Sequence, residues 1–141
     1  MRSIIAKIAL LLVLSISFVS CAQSTKSETN TIETREDVVV SLISPNELYS
    51  KLGDIQLIDV RTPEEFAKGH LKNSVNINFY DASFAEDMNK LDKNQELYIY
   101  CRSGGRSGKA SRQLEKMGFT KVYDLQGGII NWDKNNLEVI K

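Results

Sequence analysis

Cys101 closes an apolar stretch and opens a loop of two arginines, two serines and two glycines, within the run YIYCRSGGRSGKASRQL at residues 98–114. A thiol is a nucleophile only as the thiolate, so the question is what surrounds the sulfur. Here every neighbour favours negative charge. Gly104 and Gly105 let the backbone curl until successive N–H groups converge on one point, forming an anion nest. A helix beginning near Arg106 aims its unpaired N–H groups, and the positive end of its dipole, back into the loop. Arg102 and Arg106 add positive potential. The same cradle, built from the amides of Arg102, Ser103, Gly104, Gly105 and Arg106, would stabilise a terminal sulfur anion on Cys101 or an oxyanion approaching it. The plainer alternative is a glycine-rich strand-to-helix turn that happens to contain a cysteine. Lys109 and Arg112, further along, read as solvated helix surface.

The elements around this loop alternate. VVVSLI (38–43) reads as a strand. Ser44, Pro45 and Glu47 open a helix as N-cap, first helical residue and the third member of a capping box. IQLIDV (55–60) is an apolar run suited to a strand buried on both faces. Thr62-Pro63-Glu64-Glu65 repeats the cap for a short helix that Gly69 stops. SVNINF (74–79) alternates as a strand, and DASFAEDMNKL (81–91) is amphipathic. ELYIY (96–100) is the strand that delivers Cys101, and Ser107–Met117 a helix closed by Gly118. KVYDL (121–125) is a last strand and Gly127–Asn136 a last helix. Strand–helix alternation over this length predicts an α/β fold, a central parallel sheet with helices on both faces. Ligands in such sheets sit at the carboxyl ends of strands, which is where Cys101 falls.

The chain's 141 residues make one domain of ordinary size, and 42 % hydrophobic with 26 % charged residues fits a globular protein. Eighteen basic residues balance eighteen acidic ones, which argues against a nucleic-acid binder driven by overall charge. The single histidine and two cysteines supply no spaced metal-ligand cluster, so no metal is expected. Residues 1–20 are different material: Arg2 and Lys7 precede an apolar run from Ile8 to Val19, short for a bilayer span but suited to an export signal. Phe18-Val19-Ser20-Cys21 resembles the lipobox of bacterial lipoproteins, with Phe18 in place of the usual leucine. That implies lipid on Cys21, a membrane anchor and a place in the cell envelope, on the periplasmic side. Ordinary cleavage after Ala22 is the alternative. With Cys21 lipidated, Cys101 would be the one thiol left, free of a disulfide partner. Residues 21–37 are too polar to bury a core and read as a tether to a domain at 38–141.

LIDVRTPEEFAKGHLKNSVNI (57–77) and YCRSGGRSGKASRQLEKMGFTKVYDLQGGIINW (100–132) together resemble the single-domain form of the rhodanese family. The resemblance implies a three-layer α/β domain in which Cys101 accepts a sulfane sulfur as a persulfide, surrounded by the amides of Cys101–Arg106, and passes it on. It implies a sulfurtransferase with no cofactor, expected as a monomer, acting between a small anionic donor (thiosulfate, polysulfide or a thiol persulfide) and a thiophilic acceptor. Asp59 and Arg61 match a family motif and are expected in support: Asp59 holding loop backbone, Arg61 paired with Glu65 or another acidic neighbour. His70, Trp132 and Gly127-Gly128 also match and read as packing and a tight turn. Related cysteine phosphatases place five residues between cysteine and arginine, whereas here Cys101 and Arg106 enclose four. The tighter loop suits one sulfur better than a phosphate, leaving phosphatase or arsenate-reductase chemistry as the less favoured reading. A non-catalytic persulfide carrier is the other rival. A thiol-disulfide reductase would lack its Cys-x-x-Cys pair.

Overall fold

A computed structural model describes residues 39–141. The expected export signal, Cys21 and the expected tether lie outside the described residues. The elements run β1 Val39–Ile43, α1 Pro45–Lys51, β2 Gln56–Asp59, α2 Pro63–Ala67, β3 Val75–Asn76, α3 Phe84–Met88, β4 Leu97–Tyr100, α4 Gly105–Lys116, β5 Lys121–Leu125 and α5 Gly128–Lys134. The five strands form one sheet in the order β1-β5-β4-β2-β3, with every pairing parallel.

Each sheet face has its own apolar layer. On one side Ile58, Ile99 and Val122 pack with Phe84 and Met88 of α3 and Ala110 and Leu114 of α4. On the other, Leu57, Tyr98, Tyr100 and Leu125 pack with Leu48 of α1 and Ile129 and Trp132 of α5. All four residues of β4 are buried, as a central strand covered on both faces requires. The three-layer α/β arrangement is the one expected.

Local chemistry explains the helix starts. Thr62 Oγ1 accepts from the Glu65 amide while the Glu65 carboxylate accepts from the Thr62 amide, a complete capping box. Ser44 makes only the forward half, accepting from the Glu47 amide at 3.3 Å. The third strand is cut to Val75–Asn76, although Ile77 and Phe79 still donate backbone bonds to Asp59 and Val60. As the sheet's edge it needs few ladder bonds, and Asn76 spends its side-chain amide on the carbonyls of Asp59 and Arg61. The 81–91 segment winds into helix only at Phe84–Met88, the stretch whose Phe84 and Met88 reach the core. His70 is structural: its ring stacks on Phe66 at 3.9 Å, and its backbone exchanges two hydrogen bonds with Ile140.

Candidate active site

β4 ends at Tyr100 and α4 begins at Gly105, so Cys101–Gly104 form a four-residue turn at the sheet's carboxyl edge. Gly104 has φ +98°, a left-handed conformation that costs a residue with a Cβ. This bend swings the Gly104 amide onto the cysteine, where it donates to Sγ at 3.1 Å. Ser107, in the first turn of α4, donates its hydroxyl to the same sulfur at 3.4 Å. Cys101 is 1 % exposed, so the sulfur lies on the floor of the loop and not at its rim. Burial pushes the thiol up. The Ser107 hydroxyl and the amides of Ser107, Ser103 and Gly104 outweigh it and hold the thiol below its ordinary value.

The loop's orientation is imposed from beneath. The Ile129 amide donates to the Cys101 carbonyl at 2.9 Å, and the Ile130 amide to the Arg102 carbonyl at 3.1 Å. With the Arg102 oxygen turned down into the start of α5, the Ser103 amide on the other side of that peptide turns toward the sulfur. Gly128 makes the approach possible: a Cβ there would stand 2.4 Å from the Cys101 oxygen.

The guanidinium groups fall elsewhere than the sequence suggests. Arg106 forks onto Glu65, Nη1 to Oε2 at 2.6 Å and Nη2 to Oε1 at 2.8 Å, so its charge is largely answered by α2. Arg102 is exposed and contributes backbone to the loop. Hydrogen bonds therefore dominate the acidity of Cys101, and guanidinium charge comes behind them. Asp59 and Arg61 bond each other in a buried pair, Nη2 to Oδ2 at 2.6 Å, and Asp59 Oδ1 also takes the Arg61 amide at 2.9 Å. Arg61 donates onward to the Gly69 carbonyl at 2.7 Å. Of the two partners left open for Arg61, the nearer acid is Asp59, while Glu65 goes to Arg106. Neither Asp59 nor Arg61 bonds the 101–106 loop, and both buttress the chain beside it.

Two contributors were not singled out from the sequence: Ser107, and Glu65 as the clamp on Arg106. A serine six residues after the cysteine, on the inner face of a helix start, was the available signal for Ser107. Nothing local marks the Glu65–Arg106 pair, whose members are 41 residues apart.

A family model described as a rhodanese-like domain matches residues 44–135. The chain belongs to the rhodanese family. Its rhodanese domain is 32 % identical over 105 residues to a sulfurtransferase of Allochromatium vinosum, covering 72 % of this chain and 96 % of that protein. It is 34 % identical over 115 residues to thiosulfate sulfurtransferase 16, chloroplastic, of Arabidopsis thaliana, covering 74 % and 94 %. Among solved structures, a rhodanese-like domain protein from Staphylococcus aureus superposes with a TM-score of 0.61 at 33 % identity, covering 72 % of this chain and 99 % of that one.

The Glu65–Arg106 clamp joins α2 to the first turn of α4 and carries a pH signature. Arg106 holds the Glu65 carboxyl down to about 2, from an ordinary 4.5, against the opposing pull of burial. A depressed carboxyl stabilises the fold above its unfolded value, and that contribution fades as pH falls through the folded one. Glu65→Gln should cost about 1 kcal/mol at pH 7. The gap between variant and wild type in urea unfolding should close between pH 4.5 and about 2. A gap that stays constant with pH would mean the ion pair is not its source.

Proposed function

We propose that the protein is a sulfurtransferase that carries sulfane sulfur on Cys101. The supporting observation is the convergence of the Gly104 amide and the Ser107 hydroxyl on a buried sulfur, at 3.1 and 3.4 Å. The Cys101 thiolate attacks the outer sulfur of thiosulfate, a sulfur–sulfur bond forms as the donor's own breaks, and sulfite leaves with the bonding pair. The enzyme then holds Cys–S–S⁻, whose terminal anion takes the place in the amide cradle that a free thiolate occupies. A nucleophile such as cyanide or an acceptor thiolate takes that sulfur and restores the Cys101 thiolate. Both steps conserve charge and need neither metal nor cofactor. Fixed dipoles aimed at the anion lower its cost at each step without reorganising. Exposed Arg102 is the group placed to draw in an anionic donor.

Arg106 also bears on the choice of reaction. A phosphate-binding loop needs its arginine fork free for two phosphate oxygens. Here both terminal nitrogens are taken up by Glu65, which favours sulfur over phosphate. Delivery to a protein acceptor is the second reading, supported by Tyr80. Its ring is 68 % exposed and lies 5.8 Å from the Arg106 guanidinium, an apolar surface beside the loop for another chain to meet.

The reading extends to the N-terminus: export, lipid on Cys21 and attachment to the bacterial envelope, with the domain acting as a monomer. One measurement addresses both ends. Intact mass of the mature protein should show a lipid adduct that Cys21→Ser loses. Incubation with thiosulfate or polysulfide should add one sulfur atom, and only when Cys101 is present. A mass unchanged by every sulfane donor would overturn sulfur transfer, and a free Cys21 at the mature terminus would overturn the anchor.

A further inference from the structure

The carboxyl ends of three neighbouring strands meet at one rim. The sheet order β4-β2-β3 brings Cys101–Arg106 after β4 beside Arg61–Glu65 after β2 and Tyr80 after β3. Arg106 is the last residue of the sulfur loop, one position before Ser107, whose hydroxyl bonds Sγ. Its guanidinium leans across the rim. Both terminal nitrogens go to the Glu65 carboxylate at 2.6 and 2.8 Å, and the Tyr80 ring lies 5.8 Å from Cζ. Glu65 is itself fixed, because the same carboxylate accepts from the Thr62 amide at the start of α2. A two-point ion pair with one member built into a helix cap is a defined arrangement, unlike a chance meeting of flexible side chains.

The rim's charges are therefore nearly all answered. Arg61 is paired with buried Asp59, Arg106 with Glu65, and Lys68 stands exposed beyond the end of α2. Arg102 is the one rim arginine without an ion-pair partner among the described residues. The floor of the site works through neutral donors, the Gly104 amide and the Ser107 hydroxyl. These stabilise the single charge on the sulfur. They do little against the repulsion between that thiolate and an incoming sulfur donor, which grows with the donor's own charge. A free Arg106 would offset that repulsion most for the most highly charged donor. Glu65 withholds the help.

We propose that Glu65 is a specificity-determining residue: by occupying the Arg106 fork it turns the site away from dianionic donors such as thiosulfate and toward sulfane donors carrying one negative charge or none. Organic persulfides and thiosulfonates are of that kind. Glu65 acts through Arg106 and touches no reacting atom, so it is a positioning residue. The inference rests on Cys101 as the sulfur carrier.

Thiosulfate and methanethiosulfonate make the test pair, since each presents an outer sulfur on an oxidised sulfur centre and they differ by one charge. Glu65→Gln suits the purpose, because glutamine also serves in a capping box while the charge that holds Arg106 is gone. One freed unit charge about 4 Å from a donor charge in a water-like medium is worth roughly fivefold in affinity, and a dianion feels it twice. The kcat/KM for thiosulfate should therefore rise about five times more than that for methanethiosulfonate. A merely structural role would move both donors alike, and equal changes would overturn the proposal. The double variant Glu65→Gln/Arg106→Gln should return the preference to the wild-type value, because the gain needs a free guanidinium.

A second arm needs no sulfur transfer. Sulfate and methanesulfonate, which carry no sulfane sulfur, would be assayed for protecting Cys101 from iodoacetamide. Sulfate should gain about fivefold on methanesulfonate in Glu65→Gln. An unchanged ratio overturns the proposal. A shifted ratio with turnover of neither donor would remove the sulfur-carrier reading while supporting the charge filter at Glu65. Should Glu65→Gln fail to fold, the wild type decides: sulfate should leave the Arg106 guanidinium signals in place by NMR. Signals that follow the anion would mean the fork opens to dianions, and would sink the idea.

Discussion

Cys101→Ser is expected to abolish thiocyanate formation from thiosulfate and cyanide, a loss on the order of a thousandfold or more. Serine nearly matches cysteine in shape, so the loop should keep its form: the Gly104 amide and Ser107 hydroxyl have an oxygen to bond in place of sulfur. What disappears is the chemistry. A hydroxyl stays protonated where the thiol is already pulled below its ordinary value, and it cannot form the sulfur–sulfur bond that stores the transferred atom. Thermal unfolding should change little, because Cys101 contributes only a small buried side chain among the Ile58, Val60, Ile99 and Ala110 layer. Normal stability with no turnover is the signature of a lost nucleophile. Residual turnover near the wild-type level would move the chemistry away from this residue.

Gly128→Ala should be the most damaging single-methyl change in the domain. The new carbon would lie 2.4 Å from the Cys101 oxygen and 2.7 Å from the Arg102 carbonyl, and all three atoms it meets are backbone. None can rotate away. The residue also sits at φ +59°, which adds about 1–2 kcal/mol for any L side chain. Relief requires α5 to back off, breaking the bonds from Ile129 and Ile130 to the loop carbonyls and loosening the cradle. Together these should cost about 3 kcal/mol or more in urea unfolding and drive the Cys101 thiol toward the acidity of a free cysteine. Gly105→Ala is the control: its Cβ would meet open space at the first turn of α4, so stability should be nearly unchanged. Equal effects of the two substitutions would contradict the role given to the close approach.

The fold was readable because its signals are local. Strand and helix runs, the Thr62 capping box and a cysteine at the end of a buried strand need only neighbours a few residues apart. Pairings across the chain were not. Arg61 had two acids within reach in sequence, and only the folded geometry assigns Asp59 to it and Glu65 to Arg106. Arg106 is tempered for the same reason: a charge seen beside Cys101 in sequence is paired with Glu65, 41 positions earlier. The burial of Asp124 was hidden in a different way. Within KVYDL it looks like the polar half of an alternating strand, and only the layer of α4 above it makes that position interior.

The loop that joins Cys101 to α4 is held from below by the Ile129 and Ile130 amides on the Cys101 and Arg102 carbonyls, and the next peptide gives its Gly104 amide to the sulfur. The acidity of the thiol is therefore a property of the native tertiary structure, absent from the isolated segment. Titrating the protein with urea should extinguish fast alkylation at neutral pH over the same denaturant range in which tryptophan fluorescence reports the release of Trp132. Reagent chemistry at one atom would thus serve as a gauge of whether α5 is still docked.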